Sequence, residues 1–130
     1  MPTLFQCMEQ IKELVKKKGF EHDLTDEVLF GKGLFAIMEL SEALEHIKKH
    51  GVFILKSSPI ISKEVSTEII DSIFYLLDMY GILHDNGLVK DPDEIFDMKM
   101  AKNLAREYQY GRPPIALDFK EVIRYEDKDD

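Results

Sequence analysis

Apolar residues recur every three to four positions along almost the whole chain, a period that admits helices and little else. In the first segment Leu4, Met8, Ile11, Leu14 and Val15 fall on one helix face. Thr3 precedes them as an N-cap, Lys16, Lys17 and Lys18 complement the negative end of the dipole, and Gly19 follows as a stop. A helix over residues 4–18 is the expectation. A second is expected over residues 25–50, ended by Gly51, with Gly31 and Gly33 kinking its first part. Residues 52–61 read as a loop broken by Ser57-Ser58-Pro59, and a third helix is expected over residues 62–80, closed by Gly81. After a polar loop at residues 84–87, Asp91-Pro92-Asp93-Glu94 starts a fourth helix, with Asp at the cap, Pro at the first position and Glu three residues after the cap. That helix should reach about residue 108, before Gly111-Arg112-Pro113-Pro114 breaks it.

The expected fold is therefore all-α, a bundle of about four main helices. It forms one domain over residues 1–112, and residues 113–130 are a C-terminal extension with a disordered end. No apolar run approaches the ~20 residues of a membrane span, and the first residues lack the pattern of a signal peptide. Cys7 is the only cysteine, which excludes an internal disulfide and a thiolate metal cluster. These points favour the cytoplasm. A net charge of −8 argues against nonspecific nucleic-acid binding, which needs a dense basic surface.

The carboxylates stand out by their spacing. Glu39-Leu-Ser-Glu42 and Glu68-Ile-Ile-Asp71 each put two acids at i and i+3, on one face of an expected helix. At 100° per residue, Ala36, Ile37, Leu40, Ala43, Leu44 and Ile47 form the apolar face of the second helix. Glu39 and Glu42 lie elsewhere, with Phe35 and His46. On the third helix Ile69, Ile70, Ile73, Leu76 and Leu77 form the core stripe, opposite Glu64, Glu68, Asp71, Tyr75 and Asp78. An acidic helix face is ordinarily a solvated one. Here the four acids lack Lys or Arg at i+4, and Phe35 and Tyr75 interleave with them. Packed together, the two helices would gather four carboxylates, a donor set for a hard divalent cation.

These residues resemble the motifs of the MazG-like, all-α nucleoside triphosphate pyrophosphohydrolases. Glu39-Leu-Ser-Glu42-Ala-Leu-Glu45 looks like the first motif, Glu68-Ile-Ile-Asp71-Ser-Ile-Phe-Tyr75-Leu-Leu like the second, and Lys99-Met-Ala-Lys102-Asn103 like the third. The resemblance covers residues 34–111. It implies hydrolysis between the α- and β-phosphates of a (d)NTP, with Glu39, Glu42, Glu68 and Asp71 holding Mg²⁺ (or Mn²⁺ in its place) and Glu39 or Glu42 as the base. Lys99, Lys102, Asn103 and Arg106 recur at i, i+3, i+4 and i+7, and the resemblance implies that they contact substrate. Their cations would equally complement a helix dipole. The family also implies self-association into a dimer or tetramer.

The chain departs from the family where Met38 and Thr67 precede the two acidic pairs in place of further acids, and where the segment between Tyr80 and Asp91 is longer. Two other functions stay open: phosphoribosyl-ATP pyrophosphohydrolase on the same fold, and a helical protein that binds metal or nucleotide without turnover. A di-iron bundle would need Glu-x-x-His pairs, which neither motif has. Gly31-Lys32-Gly33 lacks the spacing of a P-loop, His22, His46, His50 and His84 lack the spacing of a zinc site, and Cys7 reads as a packing residue.

Overall fold

The computed structural model describes residues 1–106. They form four helices: α1 (Leu4–Lys18), α2 (Asp26–Ser57), α3 (Pro59–Asp85) and α4 (Pro92–Ala105). The all-α expectation holds among the described residues, and no helix there is long and apolar enough to cross a membrane. The chain divides into two compact units, Met1–Ile95 and Phe96–Asp130. The expected single domain over residues 1–112 does not coincide with that division. The expected break at residues 111–114 and the extension 113–130 lie outside the described residues.

Local chemistry explains the helix ends. The Thr3 hydroxyl accepts from the Gln6 backbone N–H and the Gln6 side chain accepts from that of Thr3, a reciprocal capping box. Gly19 takes the left-handed conformation, φ 69°, that ends α1. Thr25 caps α2 by accepting from Val28, 3.1 Å away. Asp91 caps α4, its Oδ1 accepting from Asp93 N–H at 2.8 Å. The Asp93 carboxylate then accepts from the Leu4 and Phe5 backbone N–H groups at 2.9 and 3.1 Å. This places an anion on the positive end of α1.

Three boundaries differ from expectation. Gly51 breaks the axis of α2 with φ 77° and ψ 168°, but residues 52–57 are helical again instead of forming a loop. The whole joint is Ser58, whose N–H donates to the Ile54 carbonyl at 2.8 Å while its hydroxyl accepts from Ile61 N–H at 3.3 Å. Pro59 then opens α3 at the first position, where a missing N–H costs nothing, so the helix starts before residue 62. Gly31 and Gly33 sit in regular helix without a kink. Gly81 does not close α3, which continues to Asp85.

Gly81 is there for packing. It is buried, and a Cβ on it would stand 3.1 Å from Lys12 Cγ and 3.4 Å from Met8 Cγ. Met8 is fully buried in the α1–α3 seam, so it has little room to yield. Gly81→Val should destabilise the fold by about 1–3 kcal/mol through overpacking. Chemical denaturation checks this, and an unchanged midpoint would mean that α1 shifts freely.

α3 packs against both α1 and α2. Among the described residues the buried hydrophobic side chains are Met8, Ile11 and Val15 on α1, Ala36 and Ala43 on α2, and Val65 and Ile82 on α3. The expected core stripes are thus only partly right. Ala36 and Ala43 are inside, but Ile37 is 63% exposed, and Leu40, Leu44, Ile69, Ile70, Ile73 and Leu76 are exposed too. Small side chains explain this. Ser72 donates to the Ala36 carbonyl at 2.8 Å, so the two backbones meet closely and the large residues flank the seam.

Candidate functional site

Because α2 and α3 fold back on each other at Ser58, their facing residues pair in antiparallel order. Four rungs follow from the helical repeat, each three or four residues from the next. Lys32 Nζ lies 2.6 Å from Asp78 Oδ2, and Phe35 stacks on Tyr75 with ring centroids 5.3 Å apart and planes inclined by 27°. By the same repeat Glu39 falls opposite Asp71 and Glu42 opposite Glu68, and all four line one cavity. His46 continues the series, with its Nε2 3.4 Å from Glu68 Oε1 and 3.6 Å from Glu64 Oε2.

The structure therefore brings the four acids of the two spaced pairs to one place. Glu39, Glu42, Glu68 and Asp71 line one open cavity of about 430 Å³, together with Glu64 and Lys63. Partial burial, and then the charges of Glu42, Asp71 and Glu68, push the Glu39 carboxyl above its ordinary value of 4.5. Glu68 Oε2 is buried and has no hydrogen-bond partner. Among the described residues none of the four acids pairs with a Lys or Arg. Hard oxygen donors, mutual repulsion and an orphaned carboxylate oxygen fit a divalent cation. Among the described residues no three such side chains already converge to hold an ion. The glutamates would have to turn inward about their own χ angles to do so.

The repulsion has a measurable consequence. A carboxyl whose folded-state pKa is raised disfavours its charged form in the folded protein, so it costs stability as pH rises above 4.5 and the cost vanishes below. In metal-free protein Glu39→Gln should therefore raise Tm at neutral pH and leave it unchanged at pH 4. Mg²⁺ should raise the wild-type Tm by binding only the folded state. A neutral-pH Tm that is the same in both proteins, without metal, would remove Glu39 from the cluster.

The basic stripe is described in its own unit. Lys99, Lys102 and Asn103 are exposed on α4, and Arg106 is half-buried in a bend just past Ala105 rather than on the helix. The expected helix beyond Arg106 lies outside the described residues.

Two features escaped the sequence reading. Lys63 lines the acidic cavity yet makes no ion pair within 4.0 Å among the described residues. Its one sequence signal is its place four residues before Thr67, which lines the same cavity. The second is the ion pair of Lys32 and Asp78, which are 9% and 5% exposed. The helical repeat puts Asp78 on the acidic face opposite the core stripe without marking it as buried, and 46 residues separate the partners, so no local pattern announces the pair.

His22, in the α1–α2 connection, reaches the same region. Its Nε2 is 3.2 Å from Asp85 Oδ2, and Lys12 Nζ is 2.6 Å from Asp85 Oδ1. Although burial opposes it, the hydrogen bonds from Lys12 and His22 hold the Asp85 carboxyl below its usual range. No protein-family model, no curated protein and no solved structure matches this chain.

Proposed function

We propose that the chain is a Mg²⁺-dependent nucleoside triphosphate pyrophosphohydrolase, cutting a (d)NTP between its α- and β-phosphates. The observation that carries this reading is the shared cavity of Glu39, Glu42, Glu68 and Asp71, two i, i+3 pairs from two antiparallel helices. These four would hold the cation, with Mn²⁺ as a substitute. When bound, the cation neutralises triphosphate charge and polarises the phosphorus centre.

The chain's own groups do the rest. A carboxylate not committed to the cation, Glu39 or Glu42, takes a proton from a water positioned opposite the leaving group. The oxygen of that water bonds to the α-phosphorus, the bond to the bridging oxygen breaks, and pyrophosphate leaves beside a nucleoside monophosphate. Lys99, Lys102, Asn103 and Arg106 are the substrate contacts that the motif resemblance supplies, and Lys63 adds a cation within the cavity itself.

A nucleotide panel with Mg²⁺, scoring pyrophosphate against orthophosphate, tests the reaction. Pyrophosphate with a monophosphate supports it, and orthophosphate release sinks it. Turnover of phosphoribosyl-ATP alone would move the chain to the histidine-pathway enzyme on the same fold. A non-catalytic metal or nucleotide binder is the second reading, favoured by the carboxylates that stop short of convergence. Binding without turnover would select it.

Self-association belongs to the same proposal. The flanks of the α2–α3 pair expose Ile37, Leu40, Leu44, Ile69, Ile73 and Leu76. A second copy is the expected cover, giving a dimer or tetramer. Sedimentation equilibrium at micromolar concentration should show at least twice the chain mass. A monomer there would refute this part.

A further inference from the structure

One rung beyond the Phe35–Tyr75 stack, away from Glu42 and Glu68, a second cavity of about 290 Å³ opens between α2 and α3. Phe20, Phe35 and Tyr75 form aromatic walls, Lys32 and Asp78 form a buried polar edge, and the exposed Glu21 and Glu27 complete the lining with Val28. At Gly31 the wall has no side chain, and a Cβ there would meet nothing within 4 Å.

The polar edge is incompletely satisfied. Lys32 Nζ takes Asp78 Oδ2 at 2.6 Å, but Asp78 Oδ1 is buried without a hydrogen-bond partner. His22 Nδ1 stands 3.7 Å from it, outside hydrogen-bond range, and is itself unpartnered. A buried charged oxygen without a donor is costly, so it needs a donor from a side chain, a water or a ligand. Lys32 has further N–H donors beyond the one that Asp78 uses.

We infer that this cavity receives the nucleobase of the substrate, Asp78 Oδ1 accepting an amino or imino hydrogen and Lys32 Nζ donating to the adjacent ring nitrogen or carbonyl. The placement of the phosphates rests on the hydrolase reading. From Asp71 to Asp78 is seven residues of one helix, about 10 Å of rise. That separation suits a nucleotide whose α-phosphate lies at the acids and whose base edge lies at Asp78, with the aromatic rung between. Aromatic walls around a buried donor–acceptor edge suit a planar heterocycle better than an aliphatic ligand, and the Glu21 and Glu27 carboxylates add acceptors for base N–H groups.

The test uses free nucleosides, which carry no phosphate and need no metal. The full ¹⁵N-labelled chain is titrated with adenosine and uridine, and with purine riboside and 3-methyluridine, which lack the base N–H donor. Amide shifts should centre on residues 31–35 and 75–78, and each parent should bind about tenfold tighter than its analogue. Asp78→Asn keeps the shape, and Lys32→Met with Asp78→Leu leaves no buried charge unpaired. In both proteins the preference for the parent should fall to about threefold or less.

Shifts confined to other surfaces, equal affinity for parent and analogue, no binding, or full discrimination in both variants would each overturn the inference. In the last case Asp78 is only a clamp for His22. Nucleoside binding without pyrophosphate release would instead remove the reaction assigned to the acids and leave the base cavity standing.

Discussion

Glu42→Gln should lower Mg²⁺-dependent pyrophosphate release by about a hundredfold or more, while the helical circular-dichroism signal stays as it is. Glutamine keeps the length and volume of the side chain and removes the anion that a hard cation needs. Losing a group that merely orients a metal ligand costs about 10–100-fold, so losing a ligand charge should cost at least that. The fold should not notice. Glu42 is exposed and makes no ion pair among the described residues, and taking one charge from the cluster relieves repulsion on Glu39. Full activity in this variant would mean that the acids are a solvated face after all.

Asp78→Ala should cost about 3–5 kcal/mol of stability, because it leaves the Lys32 ammonium buried with no counter-charge. For a domain of this size that is a fall in Tm of roughly 15–25 °C. The pair as a whole is a different matter. Two buried charges lose hydration that their attraction only partly restores, so Lys32→Met with Asp78→Leu should be neutral or stabilising. Thermal melts of the single and double variants decide it. A single variant that melts with the wild type would show that Lys32 escapes to solvent, and the Lys32–Asp78 rung would then contribute nothing to the fold.

What the sequence made legible was local. Thr3, Gly19 and Asp91 work through atoms within a few residues of themselves, so their caps follow from spacing alone. The i, i+3 acids are legible for the same reason, since a helix fixes the face they share. Joining the two pairs in one cavity needed only that their helices pack as an antiparallel hairpin. The Ser57-Ser58-Pro59 joint hid its economy: the same residues that look like a loop also make a one-residue hinge with both helix ends satisfied.

Tertiary structure alone decided which face became the interior. Periodicity ranks faces by hydrophobicity, but two helices approach as closely as their smallest side chains permit. Ala36, Ala43 and Ser72 set that approach, leaving Ile37, Leu44 and Ile73 outside. Gly81 looked like a stop because glycine ends helices, and it is a contact because α1 lies 3.1 Å from where its Cβ would be. Lys32, Asp78 and His22 meet from two helices and a connection, and no pattern within any one segment encodes that meeting. Helix, cap and acidic face were determined by neighbours along the chain, whereas core, buried ion pair and aromatic cavity depend on distances between segments that only the packed chain fixes.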